Sequence, residues 1–192
     1  HFQLVKWNIV QEEGSSLNLI THTMEGGWTR NSVHIILQGE RAHAGLSGFY
    51  LPHGQQLIDN HTVVDHQVPN CTSNELYKGV LYDQSRGVFN GKVMVHRDAQ
   101  KTNAYQSNNN LLLTESARIN SRPQLEIYAD DVTCSHGATI GELDSDQLFY
   151  LMSRGIGCDE ARQMLIEAFL VDVVEVLLLP LEHSLVMVMV EI

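Results

Sequence analysis

Between His1 and about Gly141 the chain carries short β-type runs punctuated by Gly, Asn, Asp and Pro, and almost nothing of helical period. Candidate strands fall at residues 33–37, 48–51, 61–68, 79–82, 91–96, 110–113, 124–128 and 138–140. Many short strands with turn punctuation usually build a sandwich or a barrel, and pattern alone favours one. Two details point to a β-solenoid instead. Asn108-Asn109-Asn110 is a polar run in apolar surroundings, as expected where stacked Asn side chains ladder hydrogen bonds between successive coils. The apolar centres Val95, Leu112, Ile127 and Ile140 also recur at short intervals of 13 to 17 residues, compatible with coil-by-coil stacking.

After Gly141 the pattern changes. Asp144 is placed to cap a helix, with Gln147 three residues on, and Leu148, Phe149, Leu151 and Met152 supply an apolar face up to Arg154. Gly155-Ile156-Gly157 breaks that helix, and Asp159-Glu160 suits the positive end of a second one. Ala161, Met164, Leu165, Ala168, Phe169, Val173, Val176 and Leu177 then follow helical spacing as far as Pro180. The reading is an αα-hairpin whose wide apolar face packs on the β body or on another protein. Residues 185–190, apolar and uncharged, read as a strand, an interface segment or an aggregation-prone stretch. The division expected is a β body over residues 1–143 and a helical region over 144–192. Because His1 opens with a strand already under way, the chain is expected to be a fragment.

A formal charge of −11, with only twelve scattered Lys and Arg, argues against a nucleic-acid binder. From Asp144 onward nine Asp or Glu face two Arg, so that end suits a neutral or basic partner surface. No apolar stretch reaches the roughly 20 residues of a membrane-spanning helix. Cys71, Cys134 and Cys158 form no C-x-x-C pair and are odd in number, which favours free thiols and a reducing compartment. Cys71 is expected to be an ordinary buried thiol and Cys158 to sit at a helix start. His34, His43, His53, His61 and His66 show no compact ligand spacing. The Gly87 to Val93 stretch has the wrong glycine spacing for a phosphate loop and no Ser or Thr after Lys92.

The chemistry-bearing pair is Cys134 and His136. On an extended strand, side chains two apart share a face, so a thiol and an imidazole are presented together. Those types suit iron, zinc or an iron-sulfur species, but two ligands make half a site. Other residues of the chain or a partner must complete it. Alternation puts Asp130, but not Asp131, on the same face.

The blocks running from Pro123 to Val132, Cys134-Ser135-His136-Gly137-Ala138-Thr139-Ile140-Gly141, and Gln147 to Ile156 closely resemble the SufB/SufD family of iron-sulfur cluster assembly proteins. Val88-Phe89-Asn90-Gly91 and the run from Asn108 to Leu113 fit as well, and the Cys-Ser-His-Gly-Ala-Thr block resembles the SufD branch. The resemblance implies a mainly β chain: a right-handed parallel β-helix (β-solenoid) followed by a C-terminal α-helical region. It implies a non-enzymatic scaffold that pairs with a SufB-like partner through the β-helix and docks a SufC-like ATPase through the helices. By that analogy Cys134 and His136 face a partner's Cys and carboxylate. Leu148, Phe149, Tyr150, Met152, Arg154 and Gly155 lie in the SufC-docking segment. No cofactor is expected to stay bound to the chain alone; iron or a nascent cluster would be shared transiently with SufB. Family members are longer at the N-terminus, so the first coils would be missing and an apolar edge exposed. A homodimer in isolation, and a cytoplasmic or plastid-stromal location, are the corresponding expectations. The alternatives are a carbohydrate-active β-helix enzyme, poorly supported with 7% aromatic residues, and a structural β-solenoid interaction protein.

Overall fold

The computed structural model describes residues 1–24, 26–178 and 185–190, with side chains as far as Glu175. Ten strands wind in sequence: β1 (Phe2–Gln11), β2 (Ser16–Thr23), β3 (Trp28–Leu37), β4 (His43–Tyr50), β5 (Leu57–His66), β6 (Thr72–Leu81), β7 (Arg86–Val95), β8 (Asn103–Leu112), β9 (Arg118–Ile127) and β10 (Thr133–Gly141). Odd-numbered strands form one sheet in the order β1-β3-β5-β7-β9, and even-numbered strands a second in the order β10-β8-β6-β4-β2. Every pairing is parallel. This is a β-solenoid of two strands per coil and not a sandwich. Hydrogen-bonded side chains in successive coils stand 29 to 31 residues apart, as in Asn31–Asn60, Asn109–Thr139 and Glu75–Gln106. The shorter recurrence in the sequence marks half-coils, because Val95, Leu112 and Ile127 each end a strand.

Strand alternation sorts the side chains. In β3 the inward set Thr29, Asn31, Val33, Ile35 and Leu37 is buried, and the residues between are half-exposed. The inward apolar row continues through Leu19, Leu46, Ile58, Val64 and Phe89, all 1% exposed or less. A smaller cluster of Val93, Val95, Ala99, Ala104 and Ala129 fills the last coils. One corner of each of the first four coils turns on a left-handed residue, successively Gly14, Arg41, Asn70 and Lys101, with φ between 59 and 65 degrees. The amide N–H groups of Gly14, Asn70 and Lys101 each donate to a carbonyl of the following coil, on Glu40, Gln100 and Asp131. The corner therefore propagates the stack even where L-residues bear the unfavourable backbone conformation.

The Asn run does not form the expected ladder. Asn108 and Asn110 point inward and bond each other (2.8 Å), and with Tyr50 they make one buried polar network. Asn109 faces outward and accepts from Thr139. The inter-coil Asn ladder lies instead in the other sheet, where Asn31 donates to Asn60 at 3.0 Å. A consecutive run alternates faces, so it cannot stack as a unit; residues one coil apart can.

Asp144 caps α1 (Ser145–Ser153), accepting the amide N–H groups of Asp146 and Gln147. Gly155, at φ 89 degrees, ends it. Helix α2 (Cys158–Leu178) follows and lies across the outer face of β4 and β6. Its buried stripe is Ala161, Leu170 and Val173, with Leu165 and Phe169 half-buried. Met164, 43% exposed, and Ala168 lie outside it, because the sheet touches only a narrow strip of the helix. Lys78, on the outer face of β6, anchors α2: its ammonium donates to the Phe169 carbonyl and to the Asp172 carboxylate, each at 2.6 Å. Pro180 lies outside the described residues. A last strand, β11 (Leu185–Val190), runs parallel to β2, which selects the strand among the readings of that segment. On the edge strand β1, Phe2, Leu4 and Val10 are 73%, 66% and 50% exposed.

Candidate functional site

The row Cys134, His136, Ala138 and Ile140 on β10 registers with Ala104, Gln106, Asn108 and Asn110 on β8. Those four β8 residues are all buried and inward-facing, so the β10 row also points along the interior of the solenoid. Among the described residues β10 pairs only with β8, and β9 only with β7. The row is therefore an interior row left uncovered, and Ile140 is 55% exposed although it continues a core column. Cys134 and His136 do share a strand face. Cys134 is half-buried against the Val93, Val95 and Ala104 cluster, and His136 is exposed. Burial pushes the Cys134 thiol above its ordinary value, with a backbone hydrogen bond from Ala104 opposing it, so the thiol is protonated at neutral pH in this state. A metal or a neighbouring cation is needed to draw out the thiolate.

Asp130 does not join the pair. The strand begins at Thr133 and Asp130 sits in the preceding bend, where alternation has no meaning. Among the described residues no three His, Cys, Asp or Glu side chains converge as a metal site. Cys71 is fully buried, with its thiol directed to the Gly39 carbonyl, and Cys158 is exposed at the start of α2.

Sequence reasoning missed what lies beneath His136. The inward column through its register position reads Leu19, Leu46, Glu75, Gln106, His136 from coil to coil. Glu75 is 1% exposed and Gln106 not at all. The Gln106 Nε2 donates to Glu75 Oε2 at 2.6 Å. Burial pushes the Glu75 carboxyl up to about 7, against the opposing hydrogen bond from Gln106. No short motif marks these residues, because they are neighbours only through the coil repeat.

On α1, Phe149 (74% exposed), Tyr150 (57%) and Met152 (44%) form an open apolar patch. Arg154 closes one side, its guanidinium 5.1 Å from the Tyr150 ring centroid and donating to the Tyr150 hydroxyl. Leu148 turns the other way, into a groove of about 680 Å³ between the helices and the end of β8 that Tyr82, Leu112 and Arg162 also line. Gly155 is the exposed turn.

Fold and site together define a parallel β-solenoid with a helical appendage that presents a thiol and an imidazole at an open edge, not in an enclosed cleft. The family model described as SUF system FeS cluster assembly, SufBD core domain, matches residues 1–169, and the chain belongs to that family. It is 41% identical, over 79% of its length, to the iron-sulfur cluster assembly protein SufD of Escherichia coli strain K12. Identity is 37% over 91% of the chain to the SufBD family protein slr0076 of Synechocystis, and 39% over 89% to the chloroplastic protein ABCI7 of Arabidopsis thaliana. The chain spans 36% to 38% of the lengths of these curated relatives.

Proposed function

We propose that this chain acts in iron-sulfur cluster assembly as a scaffold subunit of the SUF machinery, with no catalytic turnover of its own. The open β9/β10 end is the surface for a SufB-like partner. Cys134 and His136 offer it half of a coordination shell, and iron or a nascent cluster is the cargo held between the two chains. The Phe149, Tyr150, Met152 and Arg154 patch, with Leu148 and Gly155 behind it, docks a SufC-like ATPase. In isolation the open end pairs with a second copy, giving a homodimer. No described helix is long and apolar enough to cross a membrane, and we place the chain's work in the cytoplasm or the plastid stroma.

One observation carries this reading. A thiol and an imidazole occupy the inward-facing row of the edge strand β10, where unpaired edge groups and uncovered core residues can accept another chain. A ligand pair on an outward-facing row would have had no such neighbour. The test is co-expression of the chain, in its natural complex, with SufB- and SufC-type subunits, comparing the parent with Cys134→Ala and His136→Ala. Cluster formation is expected to fall sharply with the complex still assembled. Undiminished cluster formation in the double variant would overturn the site, and intact ATPase capture by Phe149→Ala/Tyr150→Ala would overturn the helical docking surface.

A further inference from the structure

The outer face of the odd-numbered sheet carries Lys6, Arg30, Arg86, Lys92, Arg118 and Arg122, six of the twelve Lys and Arg of the chain, against three carboxylates, Asp59, Asp65 and Glu126. In a protein of formal charge −11 that face is locally basic. Two of its cations are matched across strands: Arg30 lies 3.5 Å from Asp59, and Lys92 lies 2.7 Å from Glu126. Arg86 and Arg118 are not. They open β7 and β9 at the same register position, one strand spacing or about 4.8 Å apart, and neither has an acidic partner among the described residues. Like charges directly opposite on neighbouring strands destabilise a sheet, so this pair gains from a counter-charge that the described chain does not supply.

The two guanidinia share a groove of about 560 Å³, to which three successive coils each give a residue and its second neighbour: Gln55 and Leu57, Gln84 and Arg86, Ser116 and Arg118. No acidic side chain is among them. Asp83, next to Gln84 in the chain, accepts the Gly54 N–H at 2.8 Å, and Glu115 lines the groove beneath the helices instead. Arg118 is held in place by its Nη1, which donates to the carbonyls of Glu115 and Ala117, and its Nε and Nη2 have no partner among the described residues. The Arg86 guanidinium and the Gln55 and Gln84 amides likewise make no hydrogen bond among the described residues.

We propose that this groove binds the phosphate group of a small phosphate ester, held by Arg86 and Arg118. Charge selects the ligand. A phosphate monoester carries about −1.5 to −2 at neutral pH and matches two uncompensated guanidinia, whereas a carboxylate supplies a single charge. Each guanidinium presents a planar fork of donors, and a phosphate has enough acceptor oxygens for both forks. The Gln55 and Gln84 amides add neutral donors on the corner side. Leu57 continues the arginine column into the preceding coil, so the side of the groove away from β9 is apolar and takes the carbon body of the ester. The groove lies on the outer face, while Cys134 and His136 lie on an interior row, so the assignment does not depend on their role.

The experiment titrates phenyl phosphate into the full chain by calorimetry at physiological salt, with benzoate as the carboxylate of similar shape. Phenyl phosphate is expected to saturate one site and to bind at least about tenfold more tightly than benzoate. Arg86→Gln removes a side chain that makes no hydrogen bond or ion pair among the described residues, so the fold is kept, and it should weaken phenyl phosphate at least about tenfold. Arg97→Gln takes the same charge from an exposed position at another corner and should leave binding unchanged. Affinity should rise with pH through about 6, where the ester loses its second proton. Equal binding of benzoate and phenyl phosphate would overturn the proposal, as would equal weakening by Arg97→Gln or the absence of saturable binding. Capture of phosphatidic acid vesicles by a chain that ignores phenyl phosphate would overturn the small-ligand assignment in favour of a lipid surface.

Discussion

Replacing Glu75 with glutamine should change how stability depends on pH, in a direction and by an amount set by the interior of the solenoid. Glu75 is 1% exposed, accepts from Gln106, and pairs with no cation among the described residues. Burial raises its carboxyl from 4.5 to about 7. Between those values the folded protein retains a proton that the unfolded chain has released, so stability falls as pH rises through the window. At about 1.4 kcal/mol per pH unit the whole loss is about 3 kcal/mol. His66 acts with the opposite sign. Its ring is fully buried and burial lowers it from 6.5 to about 4, although the Asp65 carboxylate pulls it up. Between about 4 and 6.5 the unfolded chain binds a proton that the folded one refuses, and stability rises with pH. The two slopes cancel from pH 4.5 to 6.5, where both windows overlap. Glu75→Gln removes one of them and keeps the side-chain shape and a hydrogen bond to Gln106. Urea unfolding followed by circular dichroism at successive pH values is the assay. The stability difference between variant and parent should grow from near zero below pH 4.5 to about 3 kcal/mol in favour of the variant above pH 7. Parallel curves for the two proteins would refute the buried, unpaired state of this carboxyl.

Two further outcomes follow from the packing. Lys78→Met removes both hydrogen bonds that the ammonium gives to Phe169 and Asp172, and should cost about 1–3 kcal/mol. Faster amide hydrogen exchange should be confined to α2, and a uniform increase across the solenoid would contradict the anchoring role of Lys78. Gly79→Ala would place a Cβ 2.5 Å from the Tyr50 ring and from Asn110 Oδ1, inside the polar network that links β4 to β8 across the coil between them. We expect a loss of about 1–3 kcal/mol, measured as a lower urea midpoint at unchanged slope. A neutral result would mean that the ring and amide can yield.

The coils leave local marks in the chain, namely apolar half-coil spacing, turn residues at the corners and a change of period at Gly141, but pattern alone favoured a sandwich or barrel, and the family resemblance implied the solenoid. Strand β2 and most of β4, β6 and β8 were less visible, since Thr21, Thr23, Gly48, Ser73, Glu75, Gly79, Gln106 and Asn108 occupy inward positions and dilute the apolar alternation. The Asn run misled for a geometric reason, being read as a stack along the chain when stacking operates between coils. The helical stripe was right at Ala161, Leu165, Phe169 and Val173 but too wide at Met164 and Ala168 and without Leu170, because helical spacing identifies an apolar face but not the narrow part of it that the sheet covers.

Sequence alone determined that Cys134 and His136 share a face, because strand alternation is local and needs only the two residues between which it acts. It also determined the helix stop at Gly155 and the cap at Asp144, which depend on backbone conformation and a hydrogen bond within one turn. Only the tertiary structure decided that this face points along the solenoid interior and that the last coil is uncovered. It likewise decided that Glu75 and Gln106, 31 residues apart, stand in line beneath the imidazole. Those relations come from the length of the coil, which sums every turn and bulge between the strands, so no local pattern of residues encodes them.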